Sequence, residues 1–468
     1  MSELKSAYEL ANKRIIAPRY AKEAPKIEKL MDFISIPEFD NKEDKLIGDN
    51  ETKILSEIQE SIKKKEAEEK IMSKIEIQEA ETINYGDNFL EVYWNGNFMG
   101  YNGFDRLNRT MAFGLSNKNV RVRVEIEPYL VHINQATQAQ LRLMANEQIS
   151  PSAPKVYGTT MPLSCQHAGK KILYTMIETS EKVHKDYAEK LNLMNEIWVP
   201  TEYGKKILNR SNVCTPVYVM PLGVDIERYH PNCGTMSFGS STRGFKFVSV
   251  FRWSYRKGFD ILLRAFMEEF SNDEDVSLVM VSRAVECPEE TGLEKIVQDF
   301  NDIKSFVRKP QEDLPHVALY TKPINEKDMP KVYGSADAFV LISRGEGFGL
   351  PYIEAAACGL PVIGSNCSGQ SDFLKEDNSY LVDPDDFIEA KVGGNMSAMA
   401  KLCHFYEGQI FPHFGETAIQ KTKEQLRSVF ENYKEAQKKA DKLRNLIVKN
   451  YTWDMAIDRV HNRLREIS

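Results

Sequence analysis

The stretch FVLISRGEGFGLPYIEAAACGLPVIG, residues 339–364, predicts a strand, a glycine-rich loop, a helix and a second strand. Its first four residues are apolar, as in a strand that is buried on both faces of a parallel sheet. Three glycines within five residues then allow a sharp turn and a close approach to a ligand. Pro351 suits the first helical position, where its missing N–H costs nothing, and Gly359 and Pro361 end the helix. The pattern predicts a βαβ unit.

The start of this predicted helix has no side chain that can cap it. Leu350 precedes Pro351, at a position where Ser, Thr, Asp or Asn would accept hydrogen bonds from the first N–H groups. The free N–H groups and the positive helix end can therefore bind an anion, with phosphate as the candidate. Water or the loop backbone can satisfy the same groups, so the loop by itself leaves both interpretations open.

Two glutamates flank the loop. Glu346 lies in the turn and Glu354 about one turn into the helix, so both can accept hydrogen bonds from sugar hydroxyls in one pocket. The sequence EGFGLPYIEA resembles the donor-binding motif EGFGLPxxEA of the retaining GT-B glycosyltransferases of family 4. The resemblance implies that Glu346 orients a donor sugar and that Glu354 holds ribose hydroxyls. It also implies donor contacts by the residues between them: Gly347, Phe348, Gly349 and Leu350.

A second turn carries cations. The segment FKFVSVFR, Phe245–Arg252, predicts a strand, and the turn WSYRKG leads into a predicted helix. Arg252 then stands at a strand end and Lys257 at a helix start, where a guanidinium fork and an ammonium can neutralise a diphosphate. The two resemble the Arg and Lys-Gly pair that holds the donor diphosphate in the same family. Surface cations are the alternative, and a role for Arg256 is left open.

Further candidates lie at other strand ends. Arg283 follows a predicted strand that borders the nucleotide base in the family. The loop NGNFMGYNG, residues 95–103, resembles the glycine loop of the N-terminal GT-B domain. The resemblance places Gly100, Asn102 and Gly103 near the donor phosphates, and a plain tight turn is equally open. GxGxxG is absent from this loop, so nicotinamide binding is not expected.

The acceptor side is less defined by the sequence. Glu178 stands where a predicted strand ends, which is the usual place for ligands in open α/β sheets. Many family members have His at this strand end, so we leave open whether Glu178 or His167 acts on the acceptor. Thr179 or Ser180 is expected to cap a helix over 181–193.

Two other segments bear on the architecture. The sequence PLGVDIERYHP, residues 221–231, resembles the family's interdomain segment, with Gly223 as the hinge. The aspartates of Asp383–Asp386 are of a kind that holds Mn²⁺ or Mg²⁺ in other transferases. We expect instead an ordinary strand-to-helix turn there, with helix capping and no metal.

Composition limits the class of protein. The chain has 468 residues, 42% of them hydrophobic, which is enough for several sizeable cores. A net charge of −7 argues against a protein that coats nucleic acid. Seven cysteines without metal-ligand spacing are typical of free thiols in a reducing compartment. With no apolar signal region or membrane-spanning run in the sequence, we expect a cytoplasmic location.

The predicted fold class is α/β: a GT-B fold of two Rossmann-like domains that face a cleft, with a helical N-terminal extension. We expect the extension over 1–85, an acceptor domain over 86–225, a donor domain over 226–450 and a returning helix over 451–468. The extension contains an amphipathic pattern that favours packing on the main body. An oligomerisation or acceptor-docking arm is the alternative.

The resemblance implies a hexosyltransferase that uses a nucleotide-diphosphate sugar, with UDP favoured and GDP possible. It implies transfer to a hydroxyl with retention of anomeric configuration and without a metal or other cofactor. A glycan, a lipid-linked sugar, a protein and modified DNA all remain open as acceptors. The main alternative is a non-catalytic nucleotide-sugar-binding or scaffolding protein. A glycan phosphorylase is a weaker one, because no lysine is marked for pyridoxal phosphate.

Overall fold

The computed structural model describes residues 89–127, 133–161, 166–239, 242–283, 289–391 and 406–468. The predicted extension over 1–85 lies outside the described residues. Within them the chain forms two six-stranded parallel sheets and one two-stranded hairpin. Helices in these ranges are all too short or too polar to cross a bilayer.

The first sheet has the strand order β2-β1-β3-β4-β5-β6 and every pairing in it is parallel. Apolar side chains on β1 and β2, mostly valines, are buried in the core of this domain, as expected of a parallel sheet. Its elements are β1 Leu90–Gly96, α1 Gly103–Ser116, β2 Val120–Ile126, α2 Gln135–Ala145, β3 Lys155–Gly158, β4 Lys171–Tyr174, α3 Lys185–Leu191, β5 Glu196–Val199, α4 Glu202–Asn209 and β6 Val217–Val219.

The second sheet has the order β12-β11-β10-β7-β8-β9 and is also parallel throughout. Because β10 lies beside β7, the turns that follow these two strands emerge side by side at one edge. Its elements are β7 Phe245–Arg252, α5 Phe259–Glu269, β8 Val276–Arg283, α6 Glu289–Phe306, β9 His316–Tyr320, α7 Met329–Gly334, β10 Ala338–Leu341, α8 Leu350–Ala357, β11 Val362–Ser365 and β12 Tyr380–Val382.

The chain after β12 differs from the prediction. An ordinary strand-to-helix turn was expected at Asp383–Asp386, but Asp386 begins the antiparallel hairpin of β13 Asp386–Glu389 and β14 Ile410–His413. The Asp385 carboxylate accepts from the N–H groups of Gly415 (2.5 Å) and Ala418 (3.3 Å). It therefore satisfies the start of a helix some thirty residues further on. The remaining helices are α9 Glu416–Glu431, α10 Tyr433–Asn450 and α11 Trp453–Ile467.

The helix expected over 181–193 is also corrected. It begins only at Lys185, where His184 Nδ1 accepts from the N–H of Asp186 at 3.3 Å. Thr179 Oγ1 and the N–H of Ser180 donate instead to the carbonyl of Ile410, each at 2.8 Å. Neither residue caps a helix, because both are used in a contact with the hairpin of the second domain.

The last helix lies on the first domain. Arg463 of α11 makes a two-pronged ion pair with Glu196 at the start of β5, with distances of 2.6 and 3.1 Å. Ile457 packs so closely on α1 that a Cβ on Gly114 would overlap its side chain. The chain therefore crosses between the domains twice, before β7 and after α10.

The two crossings are adjacent. The N–H of Val224 donates to Tyr451 O at 2.9 Å, and Val224 forms a parallel bridge with Thr452. A Cβ on Gly223 would overlap the backbone of Thr452 and Trp453. Glycine is needed at 223 because the second crossing passes directly against its α-carbon.

We expect Gly223→Ala to lower the free energy of unfolding by about 1–3 kcal/mol, because an added methyl group must displace backbone rather than a side chain. The matched control is Gly103→Ala, since no atom lies within 4 Å of a Cβ there. Urea unfolding followed by circular dichroism measures both variants. Equal midpoints for the two would contradict the close approach.

Candidate functional site

The turns that follow β7 and β10 are in direct contact. The two strands pair at Ala338↔Phe247 and Phe339↔Val248. Gly258, with φ of +66°, packs against the carbonyl of Ile342, where a Cβ would overlap the oxygen. The left-handed conformation and the contact both require glycine. This contact sets Lys257, the preceding residue, beside the glycine loop.

Lys257 and Glu346 form a buried ion pair. Lys257 Nζ donates to Glu346 Oε1 at 2.5 Å, and the residues are 9% and 5% exposed. Burial lowers the pKa of Lys257, with the charge of Glu346 opposing the shift. Burial alone would raise the pKa of Glu346, but the charges of Lys257 and Arg256 outweigh it, so that this pKa is lowered. The lowered pKa of Glu346 keeps its carboxylate charged at neutral pH.

Arg256 links this pair to the first domain. Its Nη1 lies 3.0 Å from Glu178 Oε1 and 4.0 Å from Glu346 Oε2, and it also donates to the Gly345 carbonyl. Glu178 additionally accepts from the Tyr406 hydroxyl. Arg256, whose role the sequence left open, thus lies between the carboxylates of Glu178 and Glu346. Glu178 in turn is bound to two side chains of the second domain.

Glu354 has partners on both carboxylate oxygens. The Tyr333 hydroxyl donates to Oε2 at 2.7 Å, and Arg106 of α1 donates to Oε1. Arg106 also lies 3.7 Å from Glu326, which is 3.6 Å from Arg109. The carboxylate expected to hold ribose hydroxyls is therefore engaged by an arginine of the first domain.

The start of α8 lacks a side-chain cap, as predicted. Gly349, which has no side chain to cap the helix, occupies the N-cap position with φ of +102°, one residue before the Leu350 that was expected there. Leu350 begins the helix and is half-buried. Phe348 is 3% exposed and its ring packs on Phe373 (5.6 Å) and Tyr451 (5.9 Å). Its side chain therefore belongs to the core beneath the loop.

Ser368 fixes the backbone of Glu346 through two hydrogen bonds. Its hydroxyl accepts from the N–H of Glu346 and donates to the carbonyl of Glu346, both at 2.7 Å. Ser368 has φ of +65° and ψ of −164°, a region that is almost confined to glycine and costs about 1–3 kcal/mol for other residues. Such strain is typical of functional sites.

Arg344 fixes the other end of the loop. It is 1% exposed and donates to both Asp260 carboxylate oxygens, at 2.8 and 2.7 Å. It also donates to the carbonyl of Tyr255 at 2.6 Å, and its guanidinium stacks 3.8 Å from the centre of that ring. The sequence-based prediction did not include Arg344, although a charge two residues after the apolar run 339–342 was a usable signal.

The loop also touches the first domain through its glycines. A Cβ on Gly345 would lie 2.6 Å from the carbonyl oxygen of Glu178, and one on Gly347 would lie 2.5 Å from Met176 Cβ. Thr201 Oγ1 is 3.5 Å from the Gly347 carbonyl. The two domains therefore meet at the loop itself.

Other predicted residues lie outside these contacts. Arg252 is exposed at the end of β7, in register with Arg283 at the end of β8. The N–H of Gly100 already donates to Asp105 Oδ1 at 3.1 Å, while Gly103 begins α1 in open space. Asn102 caps α1 through its side chain. The roles of these residues in donor binding stay predictions.

His167 is held in a structural setting. Its Nε2 lies 2.7 Å from the Ala153 carbonyl, and its ring meets Tyr93 edge-on at 5.1 Å. Glu178, unlike His167, contacts the Arg256 side chain. Which of the two acts on the acceptor stays a prediction.

Comparison with known proteins finds a family match within the second domain. Residues 243–393 match the family model described as glycosyl transferases group 1. This span contains Lys257, Glu346 and Glu354. D-inositol 3-phosphate glycosyltransferase 2 from Catenulispora acidiphila is 28% identical over 195 residues, which cover 40% of this chain and 44% of that protein. The chain spans less than two thirds of the length of the curated relatives that it matches first.

Two solved structures share the fold at low identity. Sucrose-phosphate synthase from Thermosynechococcus elongatus has a TM-score of 0.57 and 14% identity, covering 81% of this chain and 98% of that one. Anabaena HepE in complex with UDP and glucose has a TM-score of 0.53 and 13% identity, covering 81% and 100%. The predicted GT-B architecture of two Rossmann-like domains is confirmed.

We expect Arg344→Met to lower the free energy of unfolding by about 3 kcal/mol, because it leaves Asp260 without its partner next to a buried site. Arg264→Met is the control: Arg264 binds Glu416 with two bonds of 2.7 Å and Glu268 with one of 2.7 Å, but Glu416 is exposed and Arg264 is only half-buried, so the loss costs about 1 kcal/mol or less. Chemical denaturation measures both. A cost for Arg344→Met no larger than for the control would contradict a locking role.

Proposed function

We propose that this protein is a retaining glycosyltransferase that transfers a hexose from a nucleotide-diphosphate sugar to a hydroxyl acceptor. The observation that carries the proposal is the buried Lys257–Glu346 ion pair beside the uncapped start of α8. Both features lie in the span that matches glycosyl transferases group 1. A UDP-sugar is the favoured donor, which the fold shared with a UDP-bound protein supports, and a GDP-sugar is the alternative.

The diphosphate of the donor binds at the start of α8. The N–H groups there carry partial positive charge, and the ammonium of Lys257 adds a full one. Negative charge develops on the diphosphate as the bond to the sugar breaks, so cations already fixed in place stabilise the transition state more than the bound donor. Arg252, which is exposed at the end of β7, is the second cation that we propose for the diphosphate. These groups supply the positive charge that a metal ion supplies in other transferases, and we propose that transfer requires no metal ion.

The two glutamates bind hydroxyls. Glu346, held through its backbone by Ser368, orients the sugar, and Glu354 binds the ribose. Ribose binding requires Glu354 to exchange its contact with Arg106 for hydroxyl groups. Arg256 and Glu178 face the acceptor side, where they lie between the domains. Retention follows from attack on the same face of the sugar that the diphosphate leaves, with the departing phosphate accepting the acceptor proton.

We expect Lys257→Ala and Glu346→Ala each to reduce transfer by about 10²–10³-fold, because each removes a group that acts on the reacting bond. Release of nucleoside diphosphate in the presence of acceptor measures the rate. Lys246→Ala is the control, since Lys246 is a half-buried lysine of the same domain whose Nζ donates to the nearby Gly244 carbonyl at 2.9 Å. Thermal unfolding checks that all three remain folded. Near-normal rates in Lys257→Ala or Glu346→Ala would contradict the proposal that this pair acts in transfer.

The same assay separates transfer from a non-catalytic role. A scaffolding or nucleotide-sugar-binding protein would bind the donor and release no nucleoside diphosphate with any acceptor. Glycans, lipid-linked sugars, proteins and modified DNA are the acceptor classes to be tried in turn, once thermal stabilisation has identified the donor.

A further inference from the structure

Two cysteines from distant parts of the chain lie side by side outside the site described above. Cys233 belongs to the connecting segment, residues 225–239, which leads from the first crossing towards β7. Cys358 is the residue that follows α8. Their sulfur atoms are 3.8 Å apart although 125 residues separate them in the chain. Both are free thiols.

Packed backbone holds the two sulfurs near each other. The Cys233 thiol donates to the Pro330 carbonyl at 3.1 Å, and the N–H of Met236 donates to Ser335 Oγ at 2.6 Å. A Cβ on Gly334 would overlap the Gly234 carbonyl oxygen. The connecting segment therefore lies firmly on α7, and the proximity of the sulfurs does not depend on a flexible surface loop.

The other described cysteines differ from this pair. Cys214 is exposed, and Cys367 is buried with its sulfur 3.8 Å from the Ser343 carbonyl. Among the cysteines in the described ranges, only Cys233 and Cys358 have a sulfur neighbour. Cys233 is half-buried while Cys358 is 6% exposed, so an oxidant in solution reaches Cys233 first.

We propose that Cys233 and Cys358 form a reversible disulfide when the protein meets a hydroperoxide. The Cys233 sulfur, as thiolate, attacks one peroxide oxygen and becomes a sulfenic acid, and the other oxygen leaves as hydroxide, which takes up a proton to give water. The Cys358 sulfur then attacks the Cys233 sulfur, loses its proton and displaces a second water. In total two thiols and one hydrogen peroxide give one disulfide and two waters.

The disulfide acts on the helix that carries Glu354. Disulfide bonding requires a sulfur separation of about 2.05 Å, so the two sulfurs must approach by about 1.8 Å. The N–H of Cys358 donates to the carbonyl of Glu354 at 3.1 Å, so Glu354 lies one turn before the residue that moves. We expect oxidation to displace Glu354 from Tyr333 and so to weaken donor binding. This expectation rests on the function proposed above.

The test treats the full chain with hydrogen peroxide, blocks the remaining thiols with iodoacetamide and maps peptides by mass spectrometry without reduction. The expected result is a Cys233–Cys358 linked peptide that accounts for most of Cys233 and disappears with dithiothreitol. Cys214→Ser, the control, forms the same link, and Cys233→Ser does not. Both cysteines recovered as alkylated thiols, or Cys233 linked mainly to another cysteine, would overturn the proposal.

Calorimetric titration with UDP on the same samples tests the effect on α8. We expect the dissociation constant for UDP to rise about tenfold on oxidation, which corresponds to about 1.4 kcal/mol of binding free energy. It should recover on reduction and stay constant in Cys233→Ser. An unchanged constant in fully linked protein would overturn the coupling to Glu354. If the reduced protein fails to bind UDP, UDP donor binding fails instead, while the peptide map still decides whether the disulfide forms.

Discussion

The contact between Lys257 and Glu346 is the interaction on which the site depends. Two opposite charges at 2.5 Å in a buried setting stabilise each other, but either one alone would carry a large desolvation cost. Their meeting requires that β10 lies beside β7 and that Gly258 allows the turn to pass the Ile342 carbonyl. Arg344 and Ser368 then hold the loop from its two ends. The strand order of the second sheet thus determines which charged side chains meet at the site.

The same loop is also where the two domains meet. Arg106 crosses to Glu354, Arg256 crosses to Glu178, and Gly347 packs on Met176. A nucleotide sugar that binds Glu354 and the start of α8 has to compete with these contacts, so donor binding and domain movement are coupled in this account. The adjacent crossings at Gly223 and Thr452 are the place where such a movement would be absorbed.

Local signals predicted much of this structure. The strand Phe245–Arg252 has the expected bounds, because a short segment rich in Phe and Val that ends at a turn leaves few alternatives. The uncapped start of α8 was visible in the sequence because helix capping depends on neighbouring residues. The pairing of Arg106 with Glu354 was not, since 248 residues separate them and only the tertiary fold brings them together. The hairpin after Asp385 and the loss of the Thr179 cap were not visible either, because both depend on pairing with residues Ile410–His413, which are distant in the chain.

The most direct test is a crystal structure of the protein with a UDP-sugar. The account predicts the diphosphate within about 3 Å of Lys257 Nζ and of the N–H groups at the start of α8, with Glu354 on the ribose hydroxyls in place of Arg106. A nucleotide bound elsewhere, with Lys257 still on Glu346 and Arg106 still on Glu354, would contradict it.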